Sequence, residues 1–212
     1  TDAGVHAWGQ VVSGSIPVDT DLRRLTRSVN AMCSPALSIR GAQWADTEFS
    51  ARFSATARSY RYAVWNDPSP HPLLARSSWH VPHPLDLDAM NTAARGLLGE
   101  HDFSSFRSSE CQAASPVKTL RAIGIERLGA YWRFDFDGSA FLHHMVRNIM
   151  GCLMAVGQGV HAPIWMADVL AAESRDAAAP TFAPDGLYLV GVDYDERFGL
   201  PATRRDLVLP GA

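Results

Sequence analysis

The stretch VKTLRAIGIERLGAYWRFDFD, Val117 to Asp137, decides the fold class. It divides at Gly129 into two arms. In the second arm Trp132, Phe134 and Phe136 alternate with Arg133 and Asp135, the period of two that sends apolar side chains to one face of a strand. The spacing predicts strands over Val117–Leu128 and Tyr131–Asp137, joined as a hairpin at Gly129. Working upstream, RSYRYAVW (Arg58 to Trp65) has the same period, with Tyr60, Tyr62 and Val64 on one face and Arg61, Ala63 and Trp65 on the other. Downstream, LYLVGVDY (Leu187 to Tyr194) is almost continuously apolar and reads as a buried strand. Gly9–Ile16 and Leu37–Trp44 are further expected strands.

Helical spacing appears between these runs. Leu22, Leu25, Val29 and Met32 recur at three and four residues, with Arg23, Arg24 and Arg27 outside the stripe. Val18-Asp19-Thr20 offers N-cap chemistry for this helix, and Ser34-Pro35 ends it. Asn66 to Pro70 breaks the strand before it, and a Pro- and His-rich loop follows to Pro84. Asp86 caps a helix carrying Leu87, Met90, Ala94, Leu97 and Leu98, with Gly99 as its stop. Further helices are expected over His143–Val156 and Pro163–Ala172. Strands and helices intermix and no fixed repeat occurs, so the expected class is α+β with a largely antiparallel sheet.

The chain has 212 residues, 47% hydrophobic and 19% charged, which suits one large domain or two small ones. Nineteen Lys and Arg against 22 Asp and Glu leave a net charge of −3, which excludes a globally basic nucleic-acid binder but not a basic cleft. Cys33, Cys111 and Cys152 lie far apart with no CxxC pair, so neither a disulfide framework nor a structural zinc site is supported. No apolar run reaches the ~18–20 residues of a membrane span; the longest, Met145 to Val160, is interrupted by Arg147 and Asn148. No signal peptide opens the chain, and a soluble, cytoplasmic protein is expected. The chain starts at Thr1 within a motif-like stretch, from which a fragment of a longer protein is expected.

Four segments carry candidate chemistry. In TDAGVHAWGQ, Asp2 precedes the small residues Ala3 and Gly4, which let backbone or substrate approach; an ordinary Asx turn explains Asp2 equally. In FLHHMVRNIMG (Phe141 to Gly151), His143 and His144 invite a metal reading with His6, but neighbours on a helix point about 100° apart, and capping and packing explain them better. Arg147 interrupts the apolar stripe, and a half-buried guanidinium needs an anionic partner, a carboxylate or a phosphate. In ARFSATARSYRY (Ala51 to Tyr62), Arg52, Arg58 and Arg61 interleave with Phe53, Tyr60 and Tyr62, a pattern suited to phosphates and bases or to a solvated strand face. HDFSSFRSS, from His101, is weak alone.

Together, TDAGVHA, ARFSATARSYRY, LLGEHDFSSFR, FLHHMVRNIMG and GLYLVGVDY closely resemble the bacterial tRNA pseudouridine synthases of the TruA family, in the family's order and over nearly the whole chain. The resemblance implies two ferredoxin- or RRM-like halves sharing a largely antiparallel sheet with a central cleft. The remainder of an N-terminal half would occupy 1–50, with the catalytic Asp loop, and a C-terminal half 51–205. It implies isomerisation of uridine to pseudouridine in the anticodon arm of tRNA by a homodimer, with no cofactor and no metal. Asp2 matches the family's essential aspartate, taken as nucleophile. Tyr60 matches the tyrosine that stacks on the target uracil and is a candidate for C5 proton transfer. Arg147 matches the basic partner of the aspartate. Leu189 matches an apolar residue of the uracil pocket, and Arg58 and Arg52 are expected substrate-binding residues. Family members carry a further segment before the TDAG motif, including an arginine directly before the threonine. Its absence leads to the expectation that this chain alone is poorly active. Two rival readings remain: a metal-dependent hydrolase built on Asp2, His6, His143 and His144, and a non-catalytic RNA-binding relative.

Overall fold

The computed structural model describes residues 1–201. Seven strands form one sheet: β1 (His6–Ala7), β2 (Ala55–Asn66), β3 (Trp79–Val81), β4 (Gly99–Asp102), β5 (Val117–Leu128), β6 (Tyr131–Gly138) and β7 (Leu187–Tyr194). Their order is β1-β7-β2-β6-β5-β4, with β3 paired to β2 off this path. The pairs β2/β6, β5/β6 and β4/β5 are antiparallel, whereas β1/β7 and β2/β3 are parallel. The helices among the described residues are α1 (Leu22–Cys33), α2 (Leu87–Arg95), α3 (Met145–Gly157) and α4 (Trp165–Ala171). This is the α+β, mostly antiparallel arrangement that the hairpin implied. No helix among the described residues is long and apolar enough to cross a membrane.

The hairpin forms as its alternation requires. Leu128 pairs with Tyr131 across the turn, where Gly129 takes φ +67. Trp132, Phe134 and Phe136 enter the main core, while Arg133 and Asp135 lie on the opposite face, where Arg61 Nε donates to Asp135 Oδ1 at 2.7 Å. β2 behaves likewise: Tyr62 and Val64 are fully buried in the main core, with Tyr60 packed against it. Ala63 joins Leu74, Tyr131, Tyr188 and Val190 in a second cluster, with Trp65 packed against it. α3 lies in the main core and is buried at every position except Arg147 and Ala155. A helix apolar nearly all round must be covered on several sides, and α2 supplies one of them. A Cβ at Gly157 would lie 2.6 Å from the sulfur of Met90 on α2.

The chain divides into two compact units. One comprises Thr1–Gln10 and Thr56–Asp193 and holds the sheet; the other comprises Val11–Ala55 and Tyr194–Pro201. The second unit departs from the sequence expectation. Gly9–Ile16 forms no strand: the amides of Trp8 and Gly9 both donate to Leu189 O, which ends the β1 ladder, and Val12 is 81% exposed. Two glycines and two serines in eight residues also weaken strand propensity. Leu37–Trp44 forms no strand either. Asn30 of α1 takes the place of a neighbouring strand, donating from Nδ2 to Ile39 O at 2.9 Å and accepting from Ile39 N at 2.6 Å. A strand needs a partner as well as a pattern, and Asn30 supplies that partner for one residue only.

Smaller differences concern helix ends. Asp21, rather than Val18-Asp19-Thr20, caps α1 by accepting from the amides of Arg23 and Arg24. α2 ends at Arg95 with Gly96 as its C-cap, and Gly99, at φ +101, opens β4 instead. α3 starts at Met145, two residues after the expected His143, because His144 is left-handed. α4 starts at Trp165 rather than Pro163. The part of the expected C-terminal half that runs over 202–205 lies outside the described residues.

Candidate active site

Asp2 sits on a turn that its neighbours make rigid. The amide of Val5 donates to Asp2 O at 3.1 Å, and Gly4 closes the turn at φ +84. A Cβ at Gly4 would lie 2.9 Å from Cγ of Pro184, so both backbone and space require glycine there. The chain then joins the sheet as β1, where His6 pairs with Tyr188 and Ala7 with Leu189. The His6 ring stacks on Tyr188 at 4.7 Å and its Nε2 lies 2.9 Å from Arg76 O. Turn and strand together fix the carboxylate relative to β7. The start of β7 is fixed in turn by Gly186, at φ +82, whose absent Cβ would lie 2.5 Å from Ala63 O of β2.

Arg147 reaches Asp2 from the first turn of α3. Its Nη1 donates to Asp2 Oδ2 at 3.2 Å. The side chains are 14% and 25% exposed, so the pair is partly shielded from water. The same guanidinium donates from Nε to Phe182 O at 2.8 Å, and the amide of Phe182 donates to Arg147 O at 3.1 Å. Neighbouring residues lock this contact. Asn148, fully buried, donates from Nδ2 to Phe106 O at 2.8 Å and accepts from Thr181 Oγ1 at 2.7 Å. The guanidinium is therefore held at one nitrogen by backbone and presents another to the carboxylate.

Both histidines of the doublet also face Asp2. His143 Nε2 lies 3.4 Å from Oδ1 and His144 Nε2 lies 3.3 Å from Oδ2, with ring centroids 4.0 Å apart. This corrects the expectation that they diverge as helical neighbours. They precede α3, and His144 adopts φ +63, so the helical angle does not apply. Burial, opposed by Asp2, holds the His144 imidazole below its ordinary pKa and favours the neutral ring. Asp2, His143 and His144 offer ligand atoms within 4.8 Å of one another, the one such group among the described residues, and His6 is not part of it. Arg147 Nη1 contacts the same oxygen, Oδ2, that His144 faces, so the cluster is shared with a cation.

Tyr60 of β2 packs edge-on against Phe141, with centroids 5.1 Å apart at 79°. Burial raises its phenol pKa, with Arg58 opposing and Asp2 adding to the shift. The phenol thus lies within the fields of both charges. Arg58 shares its strand face by alternation and donates from Nη1 to Ser139 O at 3.0 Å. Leu189 is buried on β7 and shares the face of Leu187, which enters the main core. Arg61 points to the other face and is paired with Asp135, so it does not join a groove with Arg58. Arg52 belongs to the second compact unit, where its guanidinium lies 5.4 Å from the Phe53 ring centroid. The residues that sequence reasoning missed are Phe182, Pro184 and the two histidines in their actual orientation. A doublet immediately before a helix start was the available signal for the last.

The sequence was compared with known proteins. The model of the tRNA pseudouridine synthase family matches residues 93–195. A protein of Methylibium petroleiphilum called tRNA pseudouridine synthase A is 53% identical over 201 residues, covering 95% of this chain and 77% of that protein. Proteins of the same name from Polaromonas naphthalenivorans and Delftia acidovorans are 53% and 51% identical, each covering 95% of this chain and 78% and 79% of their own lengths. With half the residues identical across nearly all of its length, the chain belongs to the tRNA pseudouridine synthase family, isomerases that convert uridine in tRNA to pseudouridine.

Proposed function

We propose that this chain isomerises uridines in the anticodon arm of tRNA with Asp2 as the attacking carboxylate, Arg147 as its partner and Tyr60 as the platform for the uracil. The observation that carries this reading is the 3.2 Å contact between Arg147 and Asp2, with the half-buried phenol of Tyr60 near enough for the Asp2 charge to help raise its pKa. The reaction breaks the C1′–N1 bond, turns the base and joins C5 to C1′; the C5 proton leaves and N1 gains one. Attack on C1′ or on C6 makes the same demand on the chain: an aimed carboxylate in a site that excludes water. Covalent capture divides one hard step into two easier ones. An arginine beside the carboxylate orients it through a charge-assisted hydrogen bond.

The uridine must leave its stack to reach Asp2, at an expense of a few kcal/mol. An aromatic face returns roughly 1–3 kcal/mol per stacked base, and Tyr60, held edge-on by Phe141, offers one. Leu189 supplies apolar lining, and Arg58 and Arg52 supply cations for phosphate or base. With a net charge of −3, tRNA affinity rests on such local cations and falls as salt rises. The reading includes a homodimer bridged by one tRNA, a cytoplasmic location, and the division into halves at about residue 50 that the family resemblance implies.

The test is incubation with unmodified tRNA carrying tritium at uracil C5. Release of tritium to water from anticodon-arm positions is expected. No release from folded, tRNA-binding preparations, both of this chain and of a version carrying the segment that precedes the TDAG motif in family members, would overturn the assignment in favour of a non-catalytic RNA-binding protein.

A further inference from the structure

The His143–His144 doublet is the part of the Asp2 site that the reading above leaves without a role. Arg147 alone does not fix the carboxylate. Its Nε is committed to Phe182 O, so its contact with Asp2 is Nη1 on Oδ2. One contact on one oxygen leaves rotation about the Asp2 Cβ–Cγ bond open, and that torsion is intrinsically broad. The histidines contact different oxygens, His143 at Oδ1 and His144 at Oδ2.

The backbone that aims them is built for the purpose. His144 is left-handed at φ +63, a conformation that non-glycine residues seldom adopt without surroundings that hold it. The surroundings are at hand. Asn148 N donates to His144 O at 2.9 Å, Ser108 N donates to His143 O at 3.0 Å, and His143 N donates to Cys111 Sγ at 3.4 Å. Had α3 begun at His143, the two rings would point about 100° apart. Instead both rings reach Asp2.

We propose that His143 and His144 are positioning residues for the reaction, each bringing Nε2 against one oxygen of Asp2 so that the pair sets the plane of the attacking carboxylate. The inference rests on the reading of Asp2 as the attacking group.

The test compares His143→Gln/His144→Gln with His143→Asn/His144→Asn in the full chain, using tritium release from tRNA. A glutamine amide reaches the place of Nε2, whereas the shorter asparagine amide does not; both keep a polar, foldable side chain. The expected result for the asparagine pair is a fall of about 100-fold in kcat, the scale of a misplaced reacting group. KM for tRNA and the thermal midpoint should stay near wild type, and the glutamine pair should recover to within about 10-fold of wild-type kcat. Equal losses in both variants, or wild-type kcat in both, would overturn the proposal. So would loss of wild-type turnover on chelation and its return with zinc, which would make the three side chains metal ligands. Asp2→Asn, assayed in parallel, separates the two readings: if it is fully active, the role of Asp2 fails; if it is inactive while the asparagine pair is unimpaired, only the histidine role fails.

Discussion

Arg147 Nη1 lies 3.2 Å from Asp2 Oδ2, joining residues 145 positions apart in the chain. The contact links a glycine-closed turn before β1 to the first turn of a nearly fully buried helix. Neither element can shift without breaking backbone contacts: Asp2 is tied through β1 to β7, and Arg147 through Phe182 to the segment before β7. The pairing is thereby preorganised, the condition under which a charged group in a partly dry site acts most strongly.

Replacing Asp2 by Asn removes the attacking oxygen's charge while keeping its shape. Turnover is expected to fall by at least about 1000-fold, while tRNA affinity in a filter-binding assay stays within a few-fold of wild type. Detectable pseudouridine at a rate near wild type would falsify the nucleophile role.

Arg147→Lys keeps a cation, but a single ammonium cannot serve both Phe182 O and Asp2 in the fork geometry of guanidinium. A loss of about 100-fold in kcat is expected, with little change in KM. Arg147→Met also leaves the Phe182 carbonyl without that donor, and should lower unfolding free energy by about 1–2 kcal/mol, read by urea titration. Unchanged kcat in the lysine variant would show that one contact suffices.

Tyr60→Phe retains the ring and removes the hydroxyl, whereas Tyr60→Ala removes both. The phenylalanine variant should bind tRNA normally and lose turnover by about 10²–10⁴-fold if the hydroxyl moves a proton. The alanine variant should in addition bind more weakly, by the ~1–3 kcal/mol of a lost stack. Equal kcat for the wild type and the phenylalanine variant would leave the hydroxyl without a part in catalysis.

Gly4→Ala tests the turn that carries Asp2. At φ +84 an alanine is strained by about 1–2 kcal/mol, and its Cβ would meet Pro184 at 2.9 Å. Reduced stability in urea together with a larger proportional loss of turnover is expected. A fully active, fully stable variant would mean that the turn relaxes without moving the carboxylate.

Burial raises the pKa of Tyr60, Tyr62 and Tyr131, and that of Tyr188 to about 12. These phenols stay protonated in the folded state when those of the unfolded chain ionise near about pH 10. The folded state then binds more protons than the unfolded one, so stability is intact below about pH 10 and falls as pH rises beyond it. Urea midpoints at about pH 8 and about pH 11 should differ in that direction. Tyrosinate absorbance from these four rings should appear with unfolding rather than before it.

Elements whose pattern is both periodic and locally partnered were legible in the sequence. The β5–β6 hairpin and β2 were legible because alternation and a tight turn bring each strand its neighbour. α3 was legible from its apolar run. Gly9–Ile16 and Leu37–Trp44 looked similar in isolation but form no strands, since pairing is a non-local requirement that composition cannot supply. At the site, Arg147 announced itself as a cation in an apolar stripe that needed an anion. Nothing local named Asp2 as that anion; only the family resemblance did. His143 and His144 were misjudged because a helical angle was applied to residues that stand before the helix.

The sequence by itself determined the alternating strands, the buried helix and the membership of the family, because each depends on residue spacing within a short window or on the order of motifs. The tertiary structure alone decided which groups meet Asp2: Arg147 by one nitrogen, His143 and His144 at separate oxygens, and Phe182 behind the guanidinium. The physical reason is that these contacts depend on the left-handed turn at His144 and on the pairing of β1 with β7, which only packing across the whole sheet brings about.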